Sequence, residues 1–254
     1  MTLARLWCLI CLALPASARA ASLNYTMYVL GVPSGETAMT IDLASASYAM
    51  SLRFQATGLA RVVTGAQSDS AARGRLENGW PTPLEYRSAG HFREEDRRVT
   101  MTWKDSTPAL TDVSPSIESE REPVPPAARP RAIDPLSAWL AQIVTAARSG
   151  RCEGSIRAYD GRVLSVWEAR TGGEDMLEPT SRSSFSGPAL RCEIVGRPIA
   201  GFRFGDAGQE DRREKHVTIW LGQVLPGMPR LPVRSTVETR WFGSATLYLT
   251  AAAP

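Results

Sequence analysis

The chain has 254 residues, 43% hydrophobic and 22% charged, which excludes disordered and fibrous classes. Twenty-nine Lys and Arg against 26 Asp and Glu give a net charge of +3, too balanced for a protein that holds nucleic acid by bulk charge. Two His and four Cys leave little material for an elaborate metal or His-based site.

Residues 1–20 read as a cleavable secretory signal peptide. Arg5 supplies the charged start, Leu6 to Leu14 the apolar run, Pro15 the break, and Ala18-Arg19-Ala20 an A-x-A cleavage site. A lipoprotein reading competes through Cys8 and Cys11, but both lie inside the apolar run and neither follows lipobox residues. Loss of Arg5 and Arg19 on cleavage leaves 27 basic against 26 acidic residues, a net of +1. No later run of 18 apolar residues occurs, so no transmembrane segment is expected in the mature chain. Cleavage also leaves one cysteine pair, Cys152 and Cys192. In an oxidising compartment a disulfide is the default, with two buried thiols as the alternative. Asn24-Tyr25-Thr26 forms a glycosylation triplet, a pattern that arises by chance.

The dominant period is two, the mark of half-buried antiparallel strands. It runs through Tyr48–Ala56, Val99–Trp103, Val217–Leu221 and Ala245–Leu249. Further strands are expected at Leu23–Leu30, Glu36–Asp42, Gly74–Glu77, Leu84–Ser88, Ser155–Tyr159, Val163–Ala169 and Leu190–Val195. Asn78-Gly79 and Asp160-Gly161 are hairpin signals, because a type I′ turn needs positive φ at both central residues. Gly205–Arg213 reads as a solvated hairpin loop.

One segment breaks this pattern. Asp134 is a good N-cap, Pro135 fits the first helical position, and Gly150 fits the end. Between them Leu136, Trp139, Leu140, Ile143, Val144 and Ala147 recur at helical spacing, which predicts an amphipathic helix over 134–149 packed on the sheet. Its polar face lacks the Lys/Arg density of a membrane-surface helix. Ahead of it, 106–133 holds six prolines and reads as an extended connector without regular structure. Strand patterns on both sides look alike, so 21–254 is expected to form one β-rich periplasmic domain. Its fold class is mainly β: an antiparallel curved sheet or partly open barrel with one amphipathic helix packed on it.

The order of short motifs resembles an exported bacterial family, domain of unknown function 3108. The resemblance runs through most of the mature chain. It is carried by Tyr25, Tyr28, Gly31 and Gly35; by Thr57-Gly58-Leu59; and by Gly79-Trp80 with Pro83 and Tyr86. It continues with Asp134-Pro135-Leu136-Ser137-Ala138, Cys152, Tyr159-Asp160-Gly161-Arg162, Cys192, Ile199-Ala200-Gly201-Phe202 and Leu231-Pro232-Val233-Arg234. The resemblance implies a periplasmic location and a β-rich fold, and brings no activity or catalytic residue.

Catalytic patterns are missing from the sequence. There is no G-x-S-x-G elbow, and Gly31-Val32-Pro33-Ser34-Gly35 has the wrong spacing. His91 and His216 read as surface residues, and His91 with Glu94, Glu95 and Asp96 lacks the paired histidines of a zinc helix. No phosphate-binding glycine loop occurs, and no pair of carboxylates is singled out for glycoside cleavage. No catalytic residue, metal or cofactor is therefore expected. What remains is binding: a curved sheet under a helix can enclose a cavity. Met50, Phe54, Met101, Trp103 and Trp139 are the side chains placed near it, and plain core packing is the alternative for each. The expected function is a non-enzymatic binder or carrier of an apolar or amphiphilic envelope ligand, a lipid or lipoprotein-like molecule. An envelope assembly factor working through protein contacts is the second reading, and an uncharacterised hydrolase the third.

Overall fold

The computed structural model describes residues 19–238 and 243–254; the signal-peptide reading falls almost wholly on residues outside this range. The first half of the chain is a meander: β1 (Arg19–Val29), β2 (Val32–Leu43), β3 (Ser47–Ala56), a short helix α1 (Gly58–Thr64), β4 (Gln67–Glu77), β5 (Trp80–Phe92), β6 (Glu95–Lys104) and β7 (Thr107–Ser114). The long helix α2 (Pro135–Ser149) follows. A second meander comprises β8 (Gly154–Tyr159), β9 (Leu164–Leu177), β10 (Gly187–Ala200), a short α3 (Asp206–Asp211), β11 (Lys215–Gly222), β12 (Leu231–Glu238) and β13 (Ser244–Ala253).

All thirteen strands form one antiparallel sheet in the order β7-β6-β5-β4-β3-β2-β1-β13-β12-β11-β10-β9-β8. The first and last strands therefore pair at its centre, with Ser22 opposite Ala253 and Val29 opposite Ala245. The sheet does not close: β7 and β8 are its two edges.

Eleven strands match the alternating segments. The exceptions are β7 and β12, and proline hid both. Part of the 106–133 segment is β7, an edge strand in which Pro108 sits opposite Trp103. In β12, Pro232 lies beside a bulge opposite Leu221, and its carbonyl accepts a bond from the Tyr25 hydroxyl at 2.8 Å. The loop at 205–213 holds the one-and-a-half-turn α3 rather than open coil. At Asn78-Gly79 both φ angles are positive, as a type I′ turn requires. Asp160-Gly161 differs: only Gly161 has positive φ, because the Asp160 carboxylate organises the turn by accepting from the Arg162 and Val163 amides.

The inner face carries the main core, including Leu23, Ile41, Tyr48, Met50, Met101, Leu164, Ile219, Leu231 and Leu249. Helix α2 lies across it, against β3, β4, β5 and β8. Leu136, Leu140 and Ile143 fill its predicted stripe, but Ala147 is exposed. Burial extends instead to Ala138, Ala141 and Gln142, because β8, with Ile156 and Ala158, covers a second flank. Burying Leu136, Leu140 and Ile143, at about 1.5–3 kcal/mol each, stabilises the packing by roughly 5–9 kcal/mol, an upper bound. Cys152, just before β8, and Cys192 on β10 form a disulfide with a Cα–Cα distance of 5.5 Å inside this core.

The gap between the edges is stitched rather than hydrogen-bonded as a ladder. Ile133 forms a parallel bridge to Ala158, its amide bonding the Arg157 carbonyl at 2.9 Å. Gly161 backs so closely onto Val99 of β6 that a Cβ would sit 2.3 Å from its methyl group. Beside it, Glu120 accepts bonds from Arg97 (2.7 Å), Arg121 (3.1 Å) and Arg162 (2.6 Å). Arg162 also reaches the Ser114 carbonyl on β7, and Arg121 the Gly201 carbonyl. Burial alone would push the Glu120 carboxyl up; hydrogen bonds from Arg97 and Arg121 outweigh it and hold it below the ordinary carboxylate range.

Candidate functional site: an apolar cleft beside the long helix

The N-terminus of α2 is held from inside the protein. Asp134 is completely buried; its carboxylate caps the helix by accepting the Ser137 amide at 2.9 Å and also accepts the Ser137 hydroxyl. That hydroxyl in turn meets the Tyr48 phenol. Tyr48 reaches it because its ring lies over Gly74, its register partner on β4, where a Cβ would come within 2.7 Å of the ring. Burial pushes the Asp134 carboxyl up to about 6, although its bonds from Ser137 oppose the shift. Burial likewise raises the Tyr48 phenol far above its usual value. Tyr48, Ser137 and Asp134 are each buried, so this chain of bonds fixes the helix and offers no surface to a substrate.

One turn further on, the flank of α2 turned away from β3–β5 borders a cleft of about 190 Å³. Trp139 of the helix and Trp167 of β9 form its walls, in edge-to-face contact at 5.6 Å between ring centres. Gly196 on β10, the register partner of Trp167, leaves room for the indole to lie across the strand. Pro135, Ala158, Val163, Ile194 and Val217 add apolar lining, and Ser165 and Asp160, whose carboxylate accepts the Arg162 and Val163 amides, line it as well. Lys215, exposed at the start of β11, also lines it, and makes no ion pair among the described residues. A lining of this kind can hold an apolar group in van der Waals contact and set one cation against a charged head.

The five residues expected near a cavity are not gathered in one place. Trp139 lines the cleft. Met50 on β3 and Met101 on β6 are fully buried in the main core. Trp103, half-buried on β6, donates its indole N–H to the Ala132 carbonyl at 2.8 Å. Phe54, near the far end of β3, covers Gly35 beside Met27. Trp167, Ile194 and Lys215 were not singled out by sequence. The alternation of β9 and β11 placed Trp167 and Val217 in strands, but nothing in the sequence shows that α2 stops short of covering them.

The remaining candidates occupy structural positions. His91 meets Asp96 at 2.7 Å on the rim of the β5–β6 hairpin, and exposed His216 lies 3.9 Å from Glu214. The Ser34 hydroxyl donates to the Val32 carbonyl within its own turn. Among the described residues there is no group of three or more His, Cys, Asp or Glu placed to hold a metal ion, and no helix long and apolar enough to cross a membrane. A wider groove of about 540 Å³ runs along the outer face of β2–β6 over Ala38, Ser51 and Ala71. Its arginines are already paired, Arg53 with Asp69, Arg87 with Glu85 and Arg98 with Asp112.

A curved antiparallel sheet forming a partly open barrel, with one long amphipathic helix packed on it, is thus the class of protein in hand. The chain belongs to the family described as "Protein of unknown function (DUF3108)", which matches residues 24–250. No curated protein matches it. Among solved structures it is similar to a beta-barrel-like protein of domain of unknown function DUF1849 from Brucella abortus. That match has 10% identity and a TM-score of 0.50, over 94% of this chain and 98% of the other. A putative outer membrane lipoprotein-sorting protein domain from Vibrio parahaemolyticus aligns at 9% identity and a TM-score of 0.29, over 92% and 84% of the two chains. The first likeness establishes the fold alone; the second is too distant to establish that.

Proposed function

We propose that the protein is exported to the periplasm and binds an amphiphilic envelope ligand without transforming it. The observation that carries this reading is the cleft walled by Trp139 and Trp167 and lined by Val163, Ile194 and Val217, where Lys215, without an ion pair among the described residues, stands together with Asp160, whose carboxylate is held by the Arg162 and Val163 amides. At about 190 Å³ it is smaller than the ~300–1,000 Å³ of sites that engulf a whole ligand. It fits the end of one acyl chain with an anionic group near Lys215. Dodecanoate is the probe: titration into the purified protein should saturate at one equivalent. Lys215→Glu should weaken binding about fivefold or more, the worth of roughly 1 kcal/mol for one cation. Trp167→Ala should abolish it. Absence of saturable binding, together with no lipid in organic extracts of the purified protein, would sink the proposal.

A further inference from the structure

Antiparallel strands bring three turns of the N-terminal meander to one end of the sheet: β1–β2 at Leu30-Gly31, β3–β4 through α1, and β5–β6 at Arg93-Glu94. The turns are bonded to one another. The Thr57 amide donates to the Ser34 carbonyl at 3.0 Å and the Arg93 amide to the Thr64 carbonyl at 2.6 Å. Their backbone is therefore well satisfied, yet their side chains are apolar and outward. Helix α1 buries none of its residues; Leu59 is 77% exposed, Val62 82% and Val63 65%. Leu30, Val32 and Phe92 are exposed beside them, and Leu30 holds a left-handed φ of 51° that a bulky residue adopts at a cost. Scattered exposed aliphatics need no explanation, but six on three interlinked turns form a cluster.

Charges of both signs border the cluster, and its three nearest arginines, Arg61, Arg93 and Arg182, have no carboxylate partner among the described residues. Arg61 is the one charged residue in the first two turns, Arg93 stacks on Phe92, and Arg182 reaches over Tyr28 to the Gly31 carbonyl. Glu94 lies in the third turn, and Glu95 and Asp96 follow it at the start of β6, Glu95 paired with Arg97 and Asp96 bonded to His91. The apolar side chains project from strand ends rather than lining a groove. A projecting apolar tip flanked by three arginines without carboxylate partners matches a bilayer interface, where aliphatic side chains enter the acyl boundary and arginines meet anionic headgroups. The cleft beside Trp139 opens at the same strand ends, where β8 finishes and β9 and β11 begin.

We propose that this end of the sheet docks on an anionic membrane surface, with Leu59, Val62 and Val63 of α1 as the inserting residues. The docking goes beyond the ligand reading and does not depend on what the cleft holds. The test is sedimentation of the purified protein with vesicles of phosphatidylglycerol and phosphatidylethanolamine, and with neutral phosphatidylcholine vesicles. Binding should be at least tenfold stronger to the anionic vesicles and should fall with salt. Leu59→Asp/Val62→Asp should lose tenfold or more. Met176→Asp, equally exposed but at the opposite strand ends, should bind as the parent does. Helix α1 buries nothing, so an unchanged circular dichroism spectrum separates lost docking from lost folding. Equal binding by the tip variant, an equal loss in Met176→Asp, equal affinity for neutral vesicles, or a tip-dependent dimer without vesicle binding would each overturn the proposal. Dodecanoate titration of the tip variant should be unchanged, so failure of docking and failure of the cleft reading are read separately.

Discussion

Replacing Asp134 by Asn converts a helix cap that titrates into one that does not. The side-chain carbonyl of Asn accepts the Ser137 amide as the carboxylate does, and N-cap preferences of the two residues are nearly equal. What changes is the charge. Burial sets the Asp134 carboxyl at about 6, against about 3.9 in an unfolded chain. A carboxyl whose folded value is raised binds its proton more tightly in the folded state. Its stabilising contribution is complete below pH ~4 and is lost as the pH rises through 6. A gap of about two units at about 1.4 kcal/mol each makes that loss about 3 kcal/mol. Urea unfolding of wild type and Asp134→Asn at pH 4, 5, 6 and 7.5 measures it, since every other titrating group cancels in the difference. The variant should be within about 1 kcal/mol of wild type at pH 4 and should gain about 3 kcal/mol on it by pH 7.5. Asp134→Ala, which removes the acceptor and leaves the Ser137 amide unbonded, should be destabilised at every pH by about 1–3 kcal/mol. A difference between wild type and Asn that stays flat from pH 4 to 7.5 would refute the assignment of burial as the dominant influence on this carboxyl.

Three further outcomes follow from the fold. Glu120→Gln leaves Arg97, Arg121 and Arg162 facing one another at the seam; it should cost about 3–5 kcal/mol in urea unfolding, and a loss under 1 kcal/mol would show that the cluster is solvated. Exchanging Cys152 and Cys192 for Ser opens a loop of about 41 residues and should lower stability by about 4 kcal/mol, with wild type in reductant reproducing the loss. Gly74→Val drives a side chain into the Tyr48 ring and the Thr82 carbonyl; it should unfold at lower urea than wild type, and an unchanged urea midpoint would show that the strand shifts to make room.

Local signals in the sequence revealed most of the elements, and tertiary relations revealed the site. Helix α2 was legible to the residue at both ends, because Asp134 and Gly150 act through bonds to neighbours three and four positions away and Pro135 through its fixed φ. Strands with one face in water, such as β3 and β6, announced themselves by alternation. Proline masked β7 and β12, because its tolerance depends on whether the strand lies at an edge or beside a bulge, a property of the sheet rather than of the segment. The same limit applies to the motifs shared with the family. Asp160-Gly161 reads as a turn and Gly201 only as part of a motif; the folded chain brings Gly161 against Val99 and sets Arg162 and the Gly201 carbonyl around Glu120 and Arg121. The cleft needed Trp139 and Trp167, 28 positions apart and on a helix and a strand, and periodicity cannot report where a helix leaves a strand uncovered.

The pairing of β1 with β13 has a consequence for how the molecule assembles. Ser22 and Ala253 are neighbours in space and more than 200 positions apart in the chain, so the middle of the sheet has the highest contact order in the protein. Each meander can zip from local hairpins, but β1 keeps an open hydrogen-bonding edge until β13 arrives, and that edge is a template for mispairing with another chain. Joining the ends of β13 and β1 with a short linker and opening the backbone within residues 115–133 would make strand order and chain order identical. Such a permutant should refold faster than the natural arrangement and aggregate less on the way.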